Sequence, residues 1–150
     1  MAENNPARFT AAARDLLTEA ERLADELGHG SASSQHLLLA LVSAPLGTAG
    51  AAFAENGWGP ERLRQRLLTE VTGQMPAASL SSRRTLDLLQ ALELAEAEAD
   101  RRGHYYVDPD HLLLGVLNEA TAAAEALARL GIMRSAIYVA VDQRMWGVLD

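Results

Sequence analysis

Residues 28–39 read Gly-His-Gly-Ser-Ala-Ser-Ser-Gln-His-Leu-Leu-Leu, and residues 103–114 read Gly-His-Tyr-Tyr-Val-Asp-Pro-Asp-His-Leu-Leu-Leu. The same six residues stand at the same places in both stretches. Working outward at that common offset of 75, 12 of the 30 residues from 10 to 39 match their partners. Thr10 pairs with Thr85, Leu17 with Leu92, Ala20-Glu21 with Ala95-Glu96, and Ala24-Asp25 with Ala99-Asp100. A one-residue shift then aligns Ala52, Ala54 and Gly57 with Ala126, Ala128 and Gly131. The chain is a tandem duplication. Two copies are fewer than a solenoid needs, so they are expected to pack on each other about a pseudo-two-fold axis.

Composition sets the class. Ala and Leu make 53 of the 150 residues, while Val and Ile make 9. Strong helix formers dominate and the β-branched residues that strands favour are scarce, so the chain reads as all-α. Each copy reads as four helices, giving an eight-helix bundle. In copy one the first helix carries Phe9, Ala13, Leu16, Leu17, Ala20, Ala24 and Leu27 as an apolar stripe ended by Gly28. The second is short, from His36 to Val42, with Ser33 or Ser34 as N-cap. Its apolar run also suits a buried strand, but Asp108-Pro109 at the same place in copy two favours a helix start. A helix apolar all round belongs at the centre. The third runs from about Gly47 to Asn56 and the fourth starts at Pro60. Copy two repeats the plan over Ser82–Arg102, Pro109–Glu119, Thr121–Leu130 and a last helix from Met133. Its first helix is expected a turn longer, because Leu80-Ser81-Ser82 precede it. The expected organisation is one domain over 1–150, with repeat one at about 8–73, a link at 74–79 and repeat two at about 80–146.

Charge and chemistry exclude several classes. The net charge is −7, spread evenly over both halves, which argues against nucleic acid as a partner. There is no Cys, hence no disulfide, thiolate metal site or Cys nucleophile. All 13 basic residues are Arg, so no P-loop lysine or Schiff base is available. The N-terminal stretch lacks the apolar core of a signal peptide, and the longest apolar run, Leu37 to Val42, is far short of a membrane span. A cytoplasmic protein with no membrane partner is the expectation.

The residues that could carry chemistry have simpler readings. His29/His36 and His104/His111 could offer two metal ligands per copy, but a site without a third ligand is weak, and a loop His and a first-turn His are suited to satisfying helix ends. Ser31, Ser33 and Ser34 near His36 and Asp25 suggest a hydrolase triad, yet serines ahead of a helix are usually caps. Glu93, Glu96, Glu98 and Asp100 read as a solvated helix face. Arg62, Arg64 and Arg66, with Arg83-Arg84 and Arg101-Arg102, read as surface ion pairs. No catalytic residue, metal site or cofactor is expected.

The pattern Phe9-Thr10, an Ala-rich helix, Leu27-Gly28-His29 and then His36–Val42, found again around Gly103-His104 and His111–Gly115, resembles the N-terminal domain of Clp-type AAA+ unfoldases, the double Clp repeat. The likeness covers about residues 8–145. It implies a non-catalytic module that binds substrate polypeptides, adaptors or other Clp components. The ATPase modules of that family have no counterpart, since no GxxxxGK[S/T] occurs. That leaves a stand-alone repeat protein or an excised domain, the former slightly favoured by Met1 and the ending Trp146–Asp150. The family also implies a pocket for phosphorylated arginine in each repeat, formed by Thr10 with Gln35 and by Thr85 with Asp110. Gln35 lacks the acidic charge the family carries there, and Asp110 keeps it on a shorter side chain. Binding is thus expected mainly in copy two, with Gln35→Glu expected to strengthen copy one. Because the family's grooves also take cyclic peptide antibiotics, a decoy that sequesters such peptides is the alternative.

Overall fold

A computed structural model of the chain describes residues 6–44, 47–73 and 83–146. After a 3-10 turn at Pro6–Arg8 come eight α-helices: α1 Ala11–Glu26, α2 Ser34–Ser43, α3 Thr48–Glu55, α4 Pro60–Thr72, α5 Leu86–Arg101, α6 Pro109–Val116, α7 Ala122–Arg129 and α8 Arg134–Met145. Among the described residues there is no strand, only two isolated bridges. The link expected at 74–79 lies outside the described residues.

The two repeats build the same unit. Buried Ala13, Leu17, Ala20 and Ala24 line one face of α1, and Leu88, Leu92, Ala95 and Ala99 take their places on α5. Helix α1 packs on α2, and α5 packs on α6. α2 and α6 meet at the centre, and one apolar cluster runs through both repeats. Every residue of α2 from Ser34 to Val42 is buried, as an all-round apolar helix requires. Gly28 and Gly103, at φ +75° and +74°, reverse the chain after α1 and α5 in the left-handed conformation that other residues resist.

The repeats are also laced together. Thr10 donates its backbone N–H to the Val107 carbonyl and Val107 donates to Arg8. In mirror fashion, Ala32 donates to the Arg83 carbonyl and Thr85 donates to Ala32. At an offset of 75, the Phe9↔Val107 bridge becomes the Arg84↔Ala32 bridge. Ion pairs follow the same symmetry: Arg8 meets Asp100 at 2.8 Å and Arg83 meets Asp25 at 3.3 Å.

This lacing explains where helix limits differ from expectation. α5 starts at Leu86, not Ser82, and has 16 residues like α1. Arg83-Arg84-Thr85 runs extended into the bridge, and the Thr85 hydroxyl then caps α5 by accepting from Leu88 N–H at 3.0 Å. α6 stops at Val116 rather than Glu119, because the Thr121 hydroxyl takes the Val116 carbonyl at 2.7 Å. No single described helix is long and apolar enough to cross a membrane.

Candidate functional site

The histidines belong to the scaffold. Ser33 N–H donates to His36 Nδ1 at 2.9 Å, so that nitrogen carries no proton and Nε2 does. His36 Nε2 lies 2.9 Å from His29 Nδ1 and donates to it. Repeat two copies the relay through Asp108 N–H, His111 and His104 at 3.0 Å each. Each second histidine closes a capping box at the start of α2 or α6. Burial, and then the neighbouring His29, depress the His36 pKa to about 4. No group of three or more metal-ligating side chains gathers among the described residues.

The serine triad reading has no geometry behind it. Ser33 caps α2, both ring nitrogens of His36 are engaged, by Ser33 N–H and by His29, and Asp25 is paired with Arg83. Ser34 Oγ accepts from Ala123 N–H at 2.9 Å. The arginines are mostly engaged in pairs, Arg64 with Glu61 at 2.9 Å and Arg84 with Glu21 at 2.8 Å. Arg62 lies over the Trp58 ring at 4.1 Å. The acidic face of α5 is less solvated than expected. Buried Arg102 bonds Glu98 at 2.6 Å and also Asp142, tying α8 to α5. Burial alone would raise the Glu98 pKa, but hydrogen bonds from Arg101, Arg102 and Tyr138 hold it below the usual range.

The four residues marked by the resemblance fall into two unequal places, and the pairing crosses between repeats. The Thr10–Val107 bond sets Thr10 beside the segment that leads into α6 and carries Asp110. The Thr85–Ala32 bond sets Thr85 beside the segment that leads into α2 and carries Gln35. Thr10 is therefore brought to the Asp110 side and Thr85 to the Gln35 side, instead of each joining its own repeat. Both threonine hydroxyls cap their helices, Thr10 accepting from Ala13 N–H at 3.1 Å.

Asp110 faces a cleft of about 320 Å³ between α1, α2, α3 and α6. Ala12, Leu16, Leu41 and Leu113 supply its apolar walls, with Asp15 and Thr48 at its edge. Burial raises the Asp110 pKa, while a hydrogen bond with the Thr48 side chain and the charge of Arg144 work against the rise. A wider groove shares Ala44, Gly47 and Thr48 with this cleft and carries Arg64 and Arg144. Both arginines of that groove are ion-paired, Arg144 with Glu55 and Arg64 with Glu61.

Gln35 is buried instead. It is 5% exposed, and its Nε2 donates to the Ala122 carbonyl at 3.2 Å. Beside it, the Asp87 carboxylate accepts from Ser34 N–H and Ala122 N–H, both at 2.8 Å. Sequence reasoning missed Asp87, Asp15, Thr48 and Arg144. The available signal for Asp87 was its pairing with Ala12 at the repeat offset, a carboxylate in the first turn of one copy alone.

The family model described as the Clp repeat (R) N-terminal domain matches residues 8–143. The chain belongs to this family. It is 34% identical over 126 residues to the negative regulator of genetic competence ClpC/MecB of Bacillus subtilis strain 168, covering 83% of this Clp repeat chain but 15% of that protein. It is 32% identical over 127 residues to the chaperone protein ClpB of Oceanobacillus iheyensis, covering 83% of this chain and 16% of that one. The N-terminal domain of ClpD from Arabidopsis thaliana shares the fold, with TM-score 0.73, 20% identity and coverage of 97% and 99%. The Hsp104 N-terminal domain of Candida albicans does so too, at TM-score 0.74 and 17% identity over 89% and 88%.

Proposed function

We propose that this Clp repeat domain is a non-catalytic recognition module for protein segments, either substrates or adaptors of a Clp-type unfolding system, and that its seat is the Asp110 cleft. The observation that carries the reading is a half-buried carboxylate in an apolar cleft, at a position the family resemblance marks. A carboxylate there can grip a guanidinium bidentately while the stem of an arginine side chain lies on Leu16, Leu41 and Leu113. Thr48, at the first turn of α3, lines the cleft, and Arg144, which shares its charge with Glu55, lines the adjoining groove; these are the groups a phosphate on that guanidinium would meet. A phosphorylated arginine in an otherwise extended segment is thus the ligand chemistry best matched.

The test is amide NMR with an unfolded model polypeptide, casein, carrying or lacking phosphorylated arginines. Expected is saturable movement of Leu16, Thr48 and Asp110 by the phosphorylated form. Movement of other regions only, or none with either form, overturns the reading.

A further inference from the structure

Two helix N-termini converge on Asp87. Its two carboxylate oxygens accept from the first residue of α2, Ser34, and the first residue of α7, Ala122, each at 2.8 Å. Ser34 is fully buried. A pair of converging N–H groups with two helix dipoles behind them is an anion seat, and a carboxylate in it makes charge-assisted bonds. At the equivalent place, on the Asp110 side, two of the three parts differ, and only the helix start at Thr48 has a counterpart in Ala122. Ala12 stands for Asp87 and brings no carboxylate; Pro109 stands for Ser34 and has no N–H. There the cleft is open.

We propose that the junction of α2 and α7, on the Gln35 side, holds a latent carboxylate-binding pocket, filled in the folded chain by Asp87 itself, and that this internal ligand is what makes the two sides unequal. The seat accepts small carboxylates or phosphate when Asp87 is removed. Asp87 therefore decides that the Asp110 cleft is the open member of the pair. This inference stands on the Asp87 geometry and does not depend on which ligand the Asp110 cleft takes.

Removal of the side chain with an exogenous acid tests it. Asp87→Ala is titrated with sodium acetate, with sodium chloride at equal ionic strength as control. Expected is saturable movement of the Ser34 and Ala122 amides in acetate but not in chloride, with a rise in melting temperature absent in the unsubstituted chain. If Asp87→Ala folds poorly, refolding yield against acetate is the readout, and recovery in acetate alone supports the seat. Asp87→Asn, which fills the space with a neutral amide, is expected to stay folded and unresponsive. Amides of Asp87→Ala that ignore acetate, a variant that fails to fold in either salt, or equal shifts in the unsubstituted chain overturn the proposal.

Discussion

Thr10 in the first repeat donates its backbone N–H to the carbonyl of Val107 in the second, at 3.0 Å, and Thr85 returns the bond to Ala32 at 2.9 Å. Each repeat thereby supplies the hydrogen-bond partner that opens the other's first helix. Unpaired buried backbone groups are costly, and the apolar faces of α2 and α6 cover one another.

Repeats severed within the 74–82 stretch are therefore expected to be largely unfolded alone and to regain helicity when mixed. Circular dichroism of each half and of the equimolar mixture checks this. Two halves that are each fully helical and do not associate would count against the lacing as a determinant of folding.

The close approach of α5 and α6 predicts a contrast between two glycines. A Cβ on Gly115 would lie 2.5 Å from the Ala91 carbonyl oxygen and 2.9 Å from Ala95 N, both backbone atoms that cannot swing away. Gly115→Ala is expected to destabilise by about 1–3 kcal/mol through overpacking. Gly50 in α3 has open space where its Cβ would stand, so Gly50→Ala is expected to stabilise by about 0.5–1 kcal/mol. Urea unfolding of both variants decides it, and similar shifts for the two would refute the packing argument.

His36 makes stability depend on acidity. Folded, it titrates at about 4 because burial and His29 penalise the charged ring, against an ordinary value of 6.5. Between those limits the unfolded chain binds more protons, so stability is fully present above about pH 6.5 and falls as pH drops toward about 4. A shift of that size corresponds to roughly 3 kcal/mol. Asp108 and Glu98, both held below their usual carboxylate range, extend the loss at lower pH. His36→Gln, which does not titrate, is expected to be less stable at neutral pH and flatter across this window. Denaturant midpoints at a series of pH values give the answer, and an unsubstituted chain that is flat over the window would rule the effect out.

The fold was legible because its signals are local and repeated. Gly-His after the first helix, the cap before the second histidine and the apolar stripe of α1 or α5 each act within a few residues, and duplication doubled every one of them. Helix starts failed where a distant partner decided them. Nothing near Ser82 announces that Arg83 to Thr85 will pair with Ala32. The site was half legible for the same reason. Asp110 could be marked by resemblance, but the crossing that sends Thr10 to its side and Thr85 to the Gln35 side arises from contacts between repeats. Asp87 looked like an ordinary first-turn acid, and only the convergence of α2 and α7 gives it two N–H partners.

The same asymmetry sets the ligand prediction. A phosphorylated arginine side chain is expected to move Leu16, Thr48 and Asp110 while leaving Ser34, Gln35 and Ala122 in place. Asp110→Asn keeps the shape of the cleft but replaces a carboxylate that accepts two guanidinium bonds with an amide whose N–H groups oppose the cation. Binding is expected to fall at least tenfold, since charge-assisted pairs are about twice as strong as neutral ones. Asp110→Glu, a methylene longer, is expected to preserve or strengthen it. Gln35→Glu is not expected to create a second site, contrary to the sequence-based expectation. It would set a second carboxylate beside Asp87, in a place already closed by Ala122. Instead that variant should lose stability above the carboxylate pKa and recover it on acidification. Calorimetric titration of the three variants, with melting temperatures of Gln35→Glu at two pH values, tests the set. Unchanged affinity in Asp110→Asn, or two equivalent sites in Gln35→Glu, would show that the cleft and the Asp87 junction do not divide the repeats in this way.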